Sequence, residues 1–153
     1  YGKPVAWFEE YQVSGNFMQL HTNDSEIIEM YVFEDAFLNE KKDNIRFNQM
    51  KGKNLVAYLN NNEVYRVDMT GNGEAIYYMT DELDRYSGVN KILCTDISIK
   101  IKNQDIESIN FKNKPEGQIF PPQKVNDIEI RLKGFNNREK ERPTSVSSLF
   151  LNP

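Results

Sequence analysis

Apolar and polar residues alternate with a period of two along most of this chain. Met18 and Leu20 share one side of a stretch whose other side carries Gln19 and His21. Leu55 and Ala57 likewise oppose Val56 and Tyr58, and Ile99 and Ile101 oppose Ser98, Lys100 and Lys102. Apolar side chains two apart on one side mark a half-buried strand. Each of these strands is followed by a second, whose apolar residues are spaced three and then two apart. They are Ile28, Tyr31 and Phe33; Val64, Val67 and Met69; and Ile106, Ile109 and Phe111. One extra residue, as in a β-bulge, restores a single inward face and bends the strand. Asn23-Asp24-Ser25, Asn60-Asn61-Asn62 and Asn103-Gln104-Asp105 join first to second strands. Asn and Asp tolerate left-handed backbone, so tight hairpins are predicted.

A short third strand follows each hairpin: Ala36-Phe37-Leu38, Ala75-Ile76-Tyr77 and Gly117-Gln118-Ile119. Glu34-Asp35, Gly71-Asn72-Gly73 and Asn113-Lys114-Pro115-Glu116 lead into them. The segment Gly2 to Phe8 is a fragment of an earlier copy. Such repetition signals a stacked or rolled architecture. Small residues recur in the third strands (Ala6, Ala36, Ala75, Gly117), where two layers come close or space survives. The polar stretch 80–90 is expected to be an exposed loop. Past Pro121 the alternation fades. Asn126 and Glu129 have capping-box spacing and Gly134 can end a helix, which predicts a short helix at about 123–133. The rest is expected to be a polar, mobile tail, with Val146, Leu149 and Phe150 left undocked. The chain therefore divides into a β-domain over 1–122 and a helix plus tail over 123–153.

Composition narrows the function. The 153 residues carry a net charge of −4 with scattered lysines, which argues against a nucleic-acid partner. The densest basic run (Arg138, Lys140, Arg142) is interleaved with Glu139 and Glu141. The one cysteine, Cys94, forms no internal disulfide and reads as a small buried hydrophobe. His21 is the one histidine, and HExxH, paired CxxC, GxSxG and phosphate-cradling glycine motifs are absent. The acid pairs Glu9-Glu10, Glu34-Asp35 and Asp81-Glu82 sit at element ends, and nothing singles one out for glycoside hydrolysis. No catalytic residue, metal ligand or cofactor is predicted. No stretch has the length of a membrane-spanning helix. The chain opens inside a repeat, without an initiator Met, and reads as an excised domain or processed fragment.

Two sets of residues resemble a known family. Gly2-Lys3-Pro4-Val5-Ala6-Trp7-Phe8 leads to Val13-Ser14-Gly15. Gly52-Lys53-Asn54-Leu55-Val56-Ala57-Tyr58 leads to Val67-Asp68-Met69-Thr70-Gly71-Asn72-Gly73-Glu74-Ala75. These resemble the OstA-like, LptA-type lipopolysaccharide-transport domains of Gram-negative bacteria, over roughly residues 1–120. Asn113 to Gly117 through Lys133-Gly134-Phe135 resembles the closing part of such proteins. Glu34-Asp35 departs from the expected Gly-Asn turn, and Asp96 stands where a glycine would open the third repeat. The resemblance implies an all-β fold, an open twisted antiparallel β-jelly roll, folded over like a taco. It also implies a periplasmic or outer-membrane-associated module that carries lipopolysaccharide acyl chains. Its partners would be other transport proteins, or further copies joined end to end through β-strands.

The apolar faces supply candidate lining for such a groove. They are Met18, Leu20, Ile28, Leu55, Ala57, Val64, Val67, Ile99, Ile101, Ile106 and Ile109, with Phe8, Leu38, Tyr77 and Ile119 from the third strands. The same positions also serve as ordinary core. Two further readings stay open. One is a structural repeat that assembles through its sheet edges without lipid; the other is a β-helix-type carbohydrate-active enzyme.

Overall fold

The computed structural model describes residues 3–144; Val146, Leu149 and Phe150 lie outside them. Among the described residues nine strands form one open antiparallel sheet. They are Val5–Phe8 (β1), Tyr11–Ser14 (β2), Phe17–Asn23 (β3), Glu26–Lys41 (β4), Phe47–Asn60 (β5), Glu63–Thr80 (β6), Tyr86–Lys102 (β7), Asp105–Lys112 (β8) and Glu116–Phe120 (β9). This is the all-β, open jelly-roll architecture that the alternation and the resemblance imply.

The hairpins form where the Asn-rich turns lie. Asp24-Ser25, Asn61-Asn62 and Asn103-Gln104 all have positive φ, as a two-residue turn matched to strand twist requires. The bulges are present too. Ile28, Tyr65 and Glu107 are the unpaired extra residues between His21/Thr22, Tyr58/Leu59 and Lys100/Ile101 and their partners. In β6 and β8 the inward residues are those expected. In β4 the register is one residue off: Met30 and Val32 point inward and are buried. Tyr31 and Phe33 turn outward and stack on each other and on His21 and Phe17.

In the first two repeats the expected second and third strands are halves of single long strands, β4 and β6, whereas in the last they are the separate strands β8 and β9. In β4 pairing steps across Glu34-Asp35, in β5 across Gly52-Lys53, and in β6 across Gly71-Asn72. Glu34, Asp35, Gly71 and Asn72 all have left-handed backbone, which bends the chain sharply while pairing resumes on both sides. The steps align across neighbours and crease the sheet into two leaves. The first leaf holds β3, β8 and the tip-side halves of β4–β7. The second holds β1, β2, β9 and the remaining halves. The crease also explains Asp96. Its Oδ1 accepts the Gly71 N–H at 3.2 Å, as Asn54 Oδ1 accepts the Glu34 N–H at 3.2 Å. Asp96 therefore corresponds to Asn54, not to the repeat-opening glycine.

The leaves close face to face. One apolar cluster joins Val32, Leu55, Val67, Met69, Ile97 and Ile99 of the first leaf to Val13, Ala36, Leu38, Met50, Ala75 and Ile92 of the second. Ala36 and Ala75 are fully buried in it, so these small residues bring the layers together.

The chain after Phe120 forms a strap across the outer face of the second leaf, from β9 to β1. The helix expected at 123–133 is a single 3-10 turn, Pro122–Lys124. Asn126 does cap a turn, accepting the Ile128 and Glu129 N–H groups. Helix does not propagate, because Leu132 and Phe135 are drawn into a second cluster with Phe37, Ile76, Tyr78 and Val89. The expected tail is tied down as far as Arg142, whose Nη1 donates to Glu9 O at 2.7 Å. The polar stretch 80–90 is mostly strand, and the connection is the Asp81-anchored turn 81–85.

Candidate functional site

Alternation along the first-leaf strands and the crease together place the expected lining on one inner surface. Leu38, Leu55, Ala57, Val64, Val67, Ile99 and Ile101 are buried in the interleaf cluster, and Phe8, Met18, Tyr77, Ile106 and Ile109 pack against it. The other three lie apart from it. Leu20 shares the inward face of Met18 but stands at the β3 edge, 51% exposed. Ile119 stands at the β9 edge, 64% exposed. Ile28 is the extra residue of a bulge near the β3–β4 hairpin tip, also exposed. Its spacing to Tyr31 and Phe33 follows residues that face outward; Ile27 is the inward residue there, opposite Thr22.

Opposite the crease the leaves do not join by strand pairing. The tips Asn61-Asn62 and Asn103-Gln104 of the first leaf face Phe8, Glu9 and Tyr11 of the second across a cleft of about 320 Å³. Among the described residues one hydrogen bond crosses it, from Tyr11 Oη to Gln104 O at a long 3.5 Å. Behind the seam the second leaf's inner face turns polar. Glu40 pairs with Tyr11 and Asn48 across the sheet, and its Oε2 accepts from Asn48 Nδ2 at 2.9 Å. Its Oε1 lies 3.3 Å from Lys42 Nζ. Burial first, and the Glu40 carboxylate second, push the Tyr11 and Tyr77 phenols above their ordinary value. Burial pulls the Lys42 ammonium down, yet the charge and hydrogen bond of Glu40, together with the Tyr86 and Tyr77 phenols, carry the net shift upward. This polar ledge had no sequence signal, because Glu40 and Asn48 look like ordinary strand-end residues.

Cys94, expected to be buried, is half-buried and packs against the interleaf cluster. Burial and then Asp96 push it up, away from the reactive thiolate. His21 Nδ1 lies 3.4 Å from a Glu29 oxygen on the outer face. Among the described residues no group of three His, Cys, Asp or Glu side chains is placed to hold a metal ion, and no helix is long and apolar enough to cross a membrane.

A second hollow of about 1080 Å³ lies on the outside of the crease, under the strap. Sequence reasoning missed it, because its walls come from six separate segments. Comparison with family models, curated proteins and solved structures finds no match for this chain.

Proposed function

We propose that this domain is a non-enzymatic lipopolysaccharide-transport module of the periplasm, sheltering acyl chains between its leaves and handing them on toward the outer membrane. One observation carries the reading: an aliphatic interior is hinged along a crease on one side and closed on the other by a seam that, among the described residues, a single long hydrogen bond crosses. An apolar guest enters by parting the leaves there. Each methylene it buries is worth about 0.8 kcal/mol, so a dozen-carbon chain gains on the order of 10 kcal/mol gross. Displacing packed side chains and ordering the lipid consume much of that. The guest is thus held firmly enough to leave a membrane and loosely enough to pass on.

The edges support a continuous path. β1 and β3 border one end of the sheet, and β8 and β9 the other. Unpaired strand edges accept further strands, and Leu20 and Ile119 extend the inner apolar face to the two ends. Copies or related domains joined there would extend the interior from one to the next.

The test is photo-crosslinking to lipopolysaccharide from Val64 and Ile101, beside the seam, against Lys100, on the outer face. Strong labelling from the first two is expected; labelling no stronger than from Lys100 removes the proposal. A second reading, edge-to-edge assembly without lipid, is favoured by the tight interior, in which Val13, Val32, Ala57, Val67 and Ile99 have no exposed surface. Concentration-dependent oligomers that take up no lipid would select it.

A further inference from the structure

We propose that the outside of the crease carries a separate binding site, for a saccharide bearing one anionic group. The hollow there, about 1080 Å³, is the size of a small-molecule site. Crease residues and the strap line it, and no seam residue does, so it is independent of the lipid reading.

Its floor is bare. Gly15 and Gly52 line it, and a Cβ on either would run inward, into Val32 and Met69, so backbone faces the hollow. Its walls carry an excess of cations. Lys3 lies 3.7 Å from Asp35, and Lys51 lies 3.9 Å from Glu74, so those acids are engaged. Among the described residues, Lys53 and Lys133 have no carboxylate within 4.0 Å. Glu34 also lines the hollow and Arg138 is paired with Glu141, which leaves a local surplus of one positive charge in a chain of net charge −4. The amides of Asn72 and Asn136 add donors and acceptors on the same walls. An inorganic anion would use the lysines and leave most of the space empty. A neutral sugar would use the amides and leave the lysines unanswered. A sugar carrying a phosphate or carboxylate uses both, through charge-assisted hydrogen bonds.

The experiment is an NMR titration of the protein with glucose 1-phosphate, glucuronate, glucose and inorganic phosphate. Saturable shifts are expected at the Lys53, Gly71 and Gly134 amides with the anionic sugars. Response to one anionic sugar and not the other keeps the site and identifies its anion. Binding should weaken about tenfold in K53E/K133E, with unchanged spectral dispersion; if the double variant does not fold, Lys133→Gln is read instead. Equal response to glucose, equal affinity for inorganic phosphate, absence of saturation, or binding indifferent to these substitutions overturns the proposal.

Discussion

Gln12 and Gln49, two strands apart on the outer face, grip the strap's main chain in the same way. Gln49 Nε2 donates to Ile130 O at 3.0 Å and its Oε1 accepts from the Leu132 N–H at 2.8 Å. Gln12 Nε2 donates to Asn136 O and its Oε1 accepts from the Arg138 N–H, both at 2.7 Å. Each amide thus supplies the two bonds that a neighbouring strand would give. Six extended residues would span roughly 20 Å, whereas two strand spacings are about 10 Å. A turn takes up the slack: Phe135 N–H bonds to Leu132 O at 3.0 Å around Gly134, whose φ of 96° suits it.

Removing a grip should loosen the strap. Gln49→Leu keeps the bulk but leaves Leu132 N–H without its partner beside a residue with no exposed surface, while Ile130 O keeps the Arg131 Nη1 donor at 3.3 Å. The expected loss is about 1–3 kcal/mol in urea unfolding, from the cost of one unmet buried group. Hydrogen exchange at Leu132 should accelerate well before exchange at Ile99. Equal acceleration at both would mean the strap does not open separately.

The crease makes a sharper demand. Gly71 has φ 83°, and a Cβ there would stand 2.9 Å from Lys53 Cβ. Gly71→Ala should cost about 1–3 kcal/mol in left-handed strain and contact. Asn72, with φ 50°, should accept glycine at little or no cost. Denaturation midpoints of the two variants check the contrast.

How far the fold was legible follows from these same residues. Hairpins, bulges and inner faces of β5 to β8 could be read because one face is apolar and the other polar. The alternation loses its sign in β4, where Tyr31 and Phe33 stack outward while Met30 and Val32 face in. A crease and a loop share turn residues such as Glu34-Asp35, so continuous strands read as separate ones. The strap was illegible for a different reason. Val125, Ile130, Leu132 and Phe135 follow no period, since they pack as irregular chain into one cluster with Phe37, Ile76, Tyr78 and Val89, and its anchors, Gln12 and Gln49, are polar residues that look solvent-facing in sequence. The candidate lining was legible as a surface, but its closure into a filled interior was set by which leaf faces which.

The hairpin tips leave room for improvement. Gln104 has φ 68°, a conformation that costs a side chain with no local hydrogen-bonding habit about 1 kcal/mol. Gln104→Gly should therefore stabilise the domain by up to about 1 kcal/mol, read as a rise in urea midpoint. The bond from Tyr11 Oη goes to the main-chain oxygen of residue 104 and survives the change. A fall in midpoint would show that the side chain matters at the seam.

Stability should fall at alkaline pH, and Tyr78 provides the handle. It is buried under the strap and its Oη donates to Asp127 Oδ1 at 2.8 Å, while Asp127 is held by Arg46 Nε at 3.1 Å. Burial, then the hydrogen bond and charge of Asp127, push its phenol up; Tyr11 and Tyr77 are raised as well. In the unfolded chain these phenols ionise near pH 10. Below that pH both states keep their protons and stability is complete. Above it the unfolded state sheds protons that the folded state retains, so stability declines as pH rises. Urea midpoints measured from pH 8 to 11.5 should stay level to about 10 and then drop. Tyr78→Phe should lower the midpoint at pH 8, through the lost bond to Asp127, and flatten the alkaline drop. An unchanged alkaline slope in that variant would mean that the buried Tyr78 proton does not govern how the strap is held.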